Sequence, residues 1–302
     1  MRKLIASFLS LVFFFFIFIS SPWAVQVVTD ETRGWAKKVL EEEKTLKTLE
    51  GKNTIAVLYF KNKTGQPELD PLQKGFTLML ITDLSKISGL QVIERVKLQA
   101  LLEEMGLGTS GLVDPDTAPR VGKLLGAQWI VGGDILKKQP DQLNIQSNPL
   151  EVPTQKVLGQ LMTEGKLEEI FRMEKDLLFN VVKLLNIDVK PVEIELRKPC
   201  STNTRALMAL FRAIEASDQK DYERANEFYK RALKEDPDTC LVRDSIKELE
   251  FLKLIPTVKR SRTLLRSLRE GTSITDKVTI EEETKDFPPP QPPTPSPCIN
   301  CQ

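Results

Sequence analysis

Few residues in this chain are of a type and spacing that could do chemistry. Gly106, Gly108 and Gly111 spell G-x-G-x-x-G in "GLGTSG". Such glycines cradle a pyrophosphate when they leave a strand and open a helix, because the helix amides then meet the anion. Here Gly106 follows the helical pattern "LQALLEEM", and "LVDP" separates Gly111 from the next helix. The placement therefore predicts a helix stop and a loop. Carboxylates cluster at Glu41-Glu42-Glu43, Glu103-Glu104 and Asp114/Asp116. Solvated helix faces and helix capping account for each. Histidine is absent, which excludes Ser-His-Asp and Cys-His catalysis and His-containing zinc sites. The cysteines are Cys200, Cys240, Cys298 and Cys301. The last two make a single C-x-x-C. No second pair completes a metal site there, and no helix N-terminus activates a thiol, so they pair internally or stay free. The reading is a non-enzyme with no catalytic, cofactor-binding or metal residue.

The bulk numbers agree with a binding or structural role. Lys+Arg is 43 and Asp+Glu is 42, so no global field draws in nucleic acid. Hydrophobic residues are 41% and charged residues 28% of 302, a globular composition with room for one or two cores. The first residues, "MRKLIASFLSLVFFFFIFISSPWA", place Arg2 and Lys3 before an apolar run from Leu4 to Ile19. Small residues follow, and Ala24 precedes the expected cut. That is the layout of an export leader over residues 1–24; an uncleaved anchor is the alternative. The mature protein is expected in the periplasm, in contact with the outer membrane.

The elements that position these residues come next. Residues 25–50 carry a helix whose apolar stripe is Trp35, Val39, Leu46 and Leu49. Residues 51–190 read as one α/β domain. "TIAVLYF" (54–60) is a strand buried on both faces. Asp70-Pro71 opens a helix, "LQVIE" is a strand, and "RVKLQALLEEM" is a helix. A further helix stops at Gly126, and "AQWIVGGDIL" is a third strand. A hairpin around 143–145 and 157–162 adds edge strands, and a long helix from Lys166 to Ile187 covers the sheet. The fold class is α/β: a mixed sheet sandwiched by helices. A small all-α unit (200–256) follows, then a basic segment and a disordered Pro-rich tail (257–302).

Two resemblances carry these words further. "IAVLYFKN" (55–62), "LITDLSKISGLQVIER" (80–95), "LLEEMGLGTSGLVDP" (101–115) and "VGKLLGAQWIVGGDI" (121–135) together resemble the CsgG-like family of bacterial envelope proteins. Its relatives include FlgO-type and TolB-N-terminal-like domains, and the founding member is the curli secretion channel. The resemblance implies the α/β fold and carries over no catalytic residue. The second stretch, Arg205 to Asp238, resembles one tetratricopeptide repeat through Asp221-Tyr222, Ala225, Tyr229, Ala232-Leu233 and Asp236-Pro237. Ala209 and Ala213 depart from the Trp and Gly usual there. A lone helix pair cannot bury its own face. Either it caps the α/β domain, or Leu207, Phe211, Ile214, Tyr222 and Tyr229 line a partner-binding face. Helices of such a repeat run antiparallel, so Cys200 and Cys240, just before the first and just after the second, are expected to form a disulfide; two unpaired small residues are the alternative.

These readings converge on a non-catalytic periplasmic scaffold of the cell envelope. It would bind protein partners in outer-membrane assembly or secretion, with no cofactor and no nucleic acid, and self-association into a homo-oligomer fits it. The alternative is a subunit of a CsgG-type oligomeric outer-membrane channel. That channel would need paired strands of ~9–11 residues, and only Leu136 to Glu164 offers a place for one pair, interrupted by Pro140, Pro149 and Pro153.

Overall fold

Continuous apolar runs and the Asp70-Pro71 helix start become a layered α/β body in the computed structural model, which describes residues 26–44, 52–108 and 110–256. The expected leader and the basic and Pro-rich segment after Pro256 lie outside the described residues. In chain order the elements begin with α1 (Asp30–Glu41), β1 (Thr54–Val57), β2 (Lys61–Lys63), α2 (Pro71–Leu84) and β3 (Gln91–Val92). Next come α3 (Arg95–Glu104), α4 (Ala118–Leu125), β4 (Trp129–Val131), β5 (Gly133–Gln139) and β6 (Gln142–Ser147). Then follow β7 (Leu150–Glu151), β8 (Lys156–Val157), β9 (Leu161–Gly165) and α5 (Ile170–Leu184). The short α6 (Glu193–Leu196) leads into α7 (Thr204–Asp218), α8 (Tyr222–Glu235) and α9 (Val242–Phe251).

The strands make two sheets, ordered β3-β1-β4-β7-β8 and β2-β5-β6-β9. β1 pairs in parallel with β3 and β4, with Ile55 opposite Trp129 and Val57 opposite Val131. β7 and β8 add antiparallel edges to this sheet. The expected strands 54–60 and 127–136 are each divided. The first leaves its sheet after Val57 and re-enters the second sheet as β2; the other breaks at Gly132 between β4 and β5. The reason at the second break is steric. A Cβ at Gly133 would fall on the Gln146 carbonyl oxygen, and one at Gly132 would lie 3.1 Å from Leu58 Cβ. β6 therefore crosses where only glycine fits.

Alternation along β1 sorts the core into two layers. Ile55 and Val57 join α2, α5, α7 and α8 in one cluster that also holds Val27. Ala56 and Leu58 join α3, α4 and Ala36 of α1 in the other, which holds Val28. The helical hairpin α7–α8 lies on α2: a Cβ at Gly75 would fall among the ring carbons of Phe211. All the described residues lie in one compact unit.

Candidate partner groove and the polar lock beneath it

In open α/β sheets, ligands sit at the carboxyl ends of parallel strands, where successive connections leave in opposite directions. β1 is such a place, with β3 on one side and β4 on the other. A cleft of about 270 Å³ opens there. Leu58, Val113, Ile130 and Leu150 are buried in its floor. Lys61, Lys63, Asp134 and Asn148 stand among its polar lining, and Val157 of edge strand β8 stands at its side, 54% exposed. Lys61 reaches Asp114 at 2.5 Å and Lys63 reaches Asp134 at 2.8 Å. The hydrogen bond from Lys61 holds the Asp114 carboxyl below its usual range. The groove is thus apolar inside, with paired charges around it, and two-residue β8 leaves an open sheet edge beside it. That combination suits an extended peptide, which adds main-chain bonds at an edge and seats a side chain in a pocket.

Below the groove, Tyr59 begins a buried polar chain. Its hydroxyl donates to Gln99 Oε1 at 2.9 Å and accepts from Arg95 at 3.3 Å. Arg95, at the start of α3, is 2% exposed, yet every guanidinium nitrogen has an acceptor. Nε donates to Gln26 Oε1 at 2.9 Å, one terminal nitrogen to Asp218 Oδ2 at 2.9 Å, and the other to the Gln26 carbonyl at 2.5 Å. Asp218, at the end of α7, also accepts from Lys74 of α2 at 2.6 Å. One carboxylate thus faces two cations, and three elements meet at it. Burial lowers the Lys74 pKa, against the pull of Asp218. Burial likewise raises the Tyr59 pKa. Interactions of this kind fix geometry as much as they stabilise.

A second buried carboxyl sits on α5. Glu174 has no exposure, and the Lys175 ammonium is ion-paired with its Oε2 at 3.2 Å. Burial, reinforced by the neighbouring Asp83 charge, pushes Glu174 up to about 8.

The sequence-predicted residues divide sharply. Leu207, Phe211 and Ile214 have no exposure and Tyr229 has 1%; these four are core residues packed on α2 and its neighbours rather than a partner face. The correction has a simple cause: an apolar repeat face must be covered, and here the α/β domain covers it. Tyr222 is half-buried at the margin of the same cluster. Cys200 and Cys240 are disulfide-bonded, with Cα atoms 5.0 Å apart, and the Cys240 amide donates to the Cys200 carbonyl at 3.2 Å. Gly106, Gly108 and Gly111 take φ of 81°, 63° and 61° after α3, which is turn geometry. Sequence reasoning missed Arg95, Asp218 and Glu174. Only Glu174 left a signal: it stands in the apolar stripe of α5 between Met173 and Leu177.

Residues 37–139 match the sequence model of the family described as the curli production assembly/transport component CsgG. A curated relative, "Putative adenylate cyclase 3" of Rhizobium meliloti (strain 1021), is 29% identical over 150 residues. That match takes in 50% of this chain and 24% of the relative, so the chain spans about a quarter of that protein's length. Among solved structures, the LpoB C-terminal domain from Salmonella enterica aligns with a TM-score of 0.33 at 13% identity, covering 45% of this chain and 98% of that one. Lipoprotein GNA1162 from Neisseria meningitidis aligns at 0.32 and 12% identity, covering 38% and 81%. The hypothetical protein CT253 from Chlamydia trachomatis aligns at 0.24 and 18% identity, covering 37% and 70%.

Proposed function

We propose, from the premise that residues 37–139 are a CsgG-like domain, that this chain is a non-catalytic scaffold of the bacterial cell envelope. It is exported by its leader to the periplasm and takes protein partners during outer-membrane assembly or secretion. The observation that carries this reading is where the groove falls. Eleven of its fourteen lining residues, from Leu58 to Asp134, lie inside the stretch matched to an assembly and transport component. Its apolar floor and open edge strand suit an extended segment of a partner protein.

The channel reading draws support from the word "transport" in the family description. Against it stands strand length. Among the described residues the longest strand, β5, has seven residues, short of the ~9–11 that cross a bilayer as a barrel strand. The relative whose name contains "adenylate cyclase" has 76% of its length outside the match, so its name supports no cyclase activity in this chain.

Two measurements test the scaffold. A photo-crosslinking residue at Val157, introduced in exporting cells, should capture an envelope protein, and Ile130→Asp in the groove floor should abolish the capture. Cell fractionation should release the chain in an osmotic-shock extract. No crosslink from Val157, or recovery only as heat-modifiable outer-membrane rings, would overturn the reading.

A further inference from the structure

The α7–α8 hairpin has a face that the α/β body leaves open. Two hollows, of about 700 and 280 Å³, lie along the outer side of α7 and share Arg212. Arg205, Met208 and Ala209 line the first, and Ala216 and Gln219 line the second. With Arg212 they recur at the three- and four-residue spacing of one helix face. The stripe from Arg205 to Gln219 is about 21 Å long at ~1.5 Å per residue. Ala209 and Ala216, 3% and 4% exposed, give it a small, apolar floor.

Charge is segregated along this stripe. At its start Arg231 of α8 joins Arg205 and Arg212, with Glu168 the carboxylate beside them. Arg205 pairs with Glu235 at 3.0 Å. Among the described residues Arg212 and Arg231 have no ion-pair partner. At the far end Glu68, Asp70 and Glu215 stand together, while Arg224 lies over the Phe228 ring at 5.6 Å. The N-terminus of α7 is not the attraction, because Asn203 Oδ1 already accepts the Arg205 and Ala206 amides at 2.9 and 3.2 Å. Among the described residues no strand lines either hollow. An extended chain would therefore find no ladder for its backbone amides and carbonyls. A helix pairs its own backbone groups and brings only side chains.

We infer that this face is a docking site for a helix of a partner protein, acidic at one end, basic at the other, with small or apolar residues between. Its acidic turn lies over Arg212 and Arg231, and its basic turn meets Glu68, Asp70 and Glu215. Charge complementarity fixes that choice: each pair is individually weak, and a segregated set sets register and orientation. A second copy of this chain presents the same concave face, and two hollows do not fill each other. The site shares no lining residue with the groove beside β8, so it stands apart from the reading proposed there.

The probe is a fluorescein-labelled helical peptide of about 14 residues, the length of the stripe. It carries an Ala/Leu face, Glu in one half and Lys in the other, and is titrated by anisotropy with the chain purified from exporting cells. It should bind saturably, and a peptide of the same composition with Glu and Lys interspersed should bind about tenfold more weakly. Arg212→Glu with Arg231→Glu should weaken the segregated peptide by about tenfold or more. A peptide with Lys in both halves should bind this double variant more tightly than it binds the native chain, a gain that misfolding cannot produce. No saturable binding, equal binding of the segregated and interspersed peptides, or no response to the double reversal overturns the inference. Self-association of the chain that the double reversal abolishes also overturns it, since the face would then hold a second copy. In cells, a photo-crosslinking residue at Met208 should join a segment of another protein with Glu or Asp within about two helical turns of the link, read by mass spectrometry. A link only to this chain, or to a segment without carboxylates, overturns it independently.

Discussion

Asp218→Asn keeps the volume of the side chain and removes one charge. In the native protein that carboxylate is fully buried between Arg95 and Lys74, whose side chains are 1% and 8% exposed. After the change Arg95 keeps Gln26 and Tyr59, but both cations lose the buried carboxylate they share. Removing one partner of a buried pair costs ~3–5 kcal/mol, because the remaining charge stays desolvated. That is a large share of a total stability of about 5–15 kcal/mol. Urea unfolding at pH 7, followed by the fluorescence of Trp35 and Trp129, reads the change. Asp176→Asn is the control, since that carboxylate is 48% exposed against Arg172 and such pairs contribute about 1 kcal/mol or less. Adding Lys74→Met to Asp218→Asn should recover part of the loss by removing one of the two desolvated cations. If Asp218→Asn and Asp176→Asn cost the same, the buried network is not what holds α7 against α2 and α3, and the reasoning fails.

Other expectations follow from the same structure. Gly75→Ala should destabilise by ~1–3 kcal/mol, because the methyl meets the Phe211 ring; an unchanged thermal midpoint would mean that the hairpin does not press on α2. The raised pKa values of Glu174 and of Glu248, the α9 carboxylate that accepts the Gln26 amide, about 8 and about 7 against 4.5, set a pH dependence. Both groups bind protons more tightly folded than unfolded, so their contribution is full below pH 4.5 and is lost as pH rises through 7 to 8. The urea midpoint should therefore fall between pH 5 and 8. Glu174→Gln should flatten that slope and stabilise the protein at pH 8, and a parallel profile would contradict the assignment. Reducing the Cys200–Cys240 bridge, or replacing both with Ser, should cost up to ~4 kcal/mol for a loop of about 40 residues in the chain-entropy picture, read as the urea shift of the native chain with and without reductant and of the double variant without it; a reductant-insensitive midpoint of the native chain would count against the bridge.

Some of this was legible in the sequence. The β-branched run Ile55–Val57 predicts a strand covered on both faces, and β1 is covered by α2 on one side and α3 and α4 on the other. Asp70-Pro71 starts α2 at Pro71, and Gly126 ends α4 with φ 65°. What could not be read was partnership. A doubly buried strand has no polar face to reveal which sheet it belongs to, so the passage of Leu58–Phe60 from one sheet to the other left no mark. Leu207, Phe211 and Ile214 announce an apolar face, but only the fold says that α2 lies on it. Arg95 and Asp218 look like ordinary helix-end charges until their separation of 123 positions is closed.

That separation also sets a clock. A ribosome adding ~5–20 residues per second needs roughly 6–25 s to go from Arg95 to Asp218, and Glu248 comes later still, 222 positions after the amide it receives. During that interval the guanidinium of Arg95 has no carboxylate to close on, and the layer around α2 has no hairpin to cover it. Contacts so distant along the chain make folding slow. The body described here is therefore completed late, after its C-terminal helices have emerged, and until then the apolar faces that α7 and α8 cover stay open during synthesis.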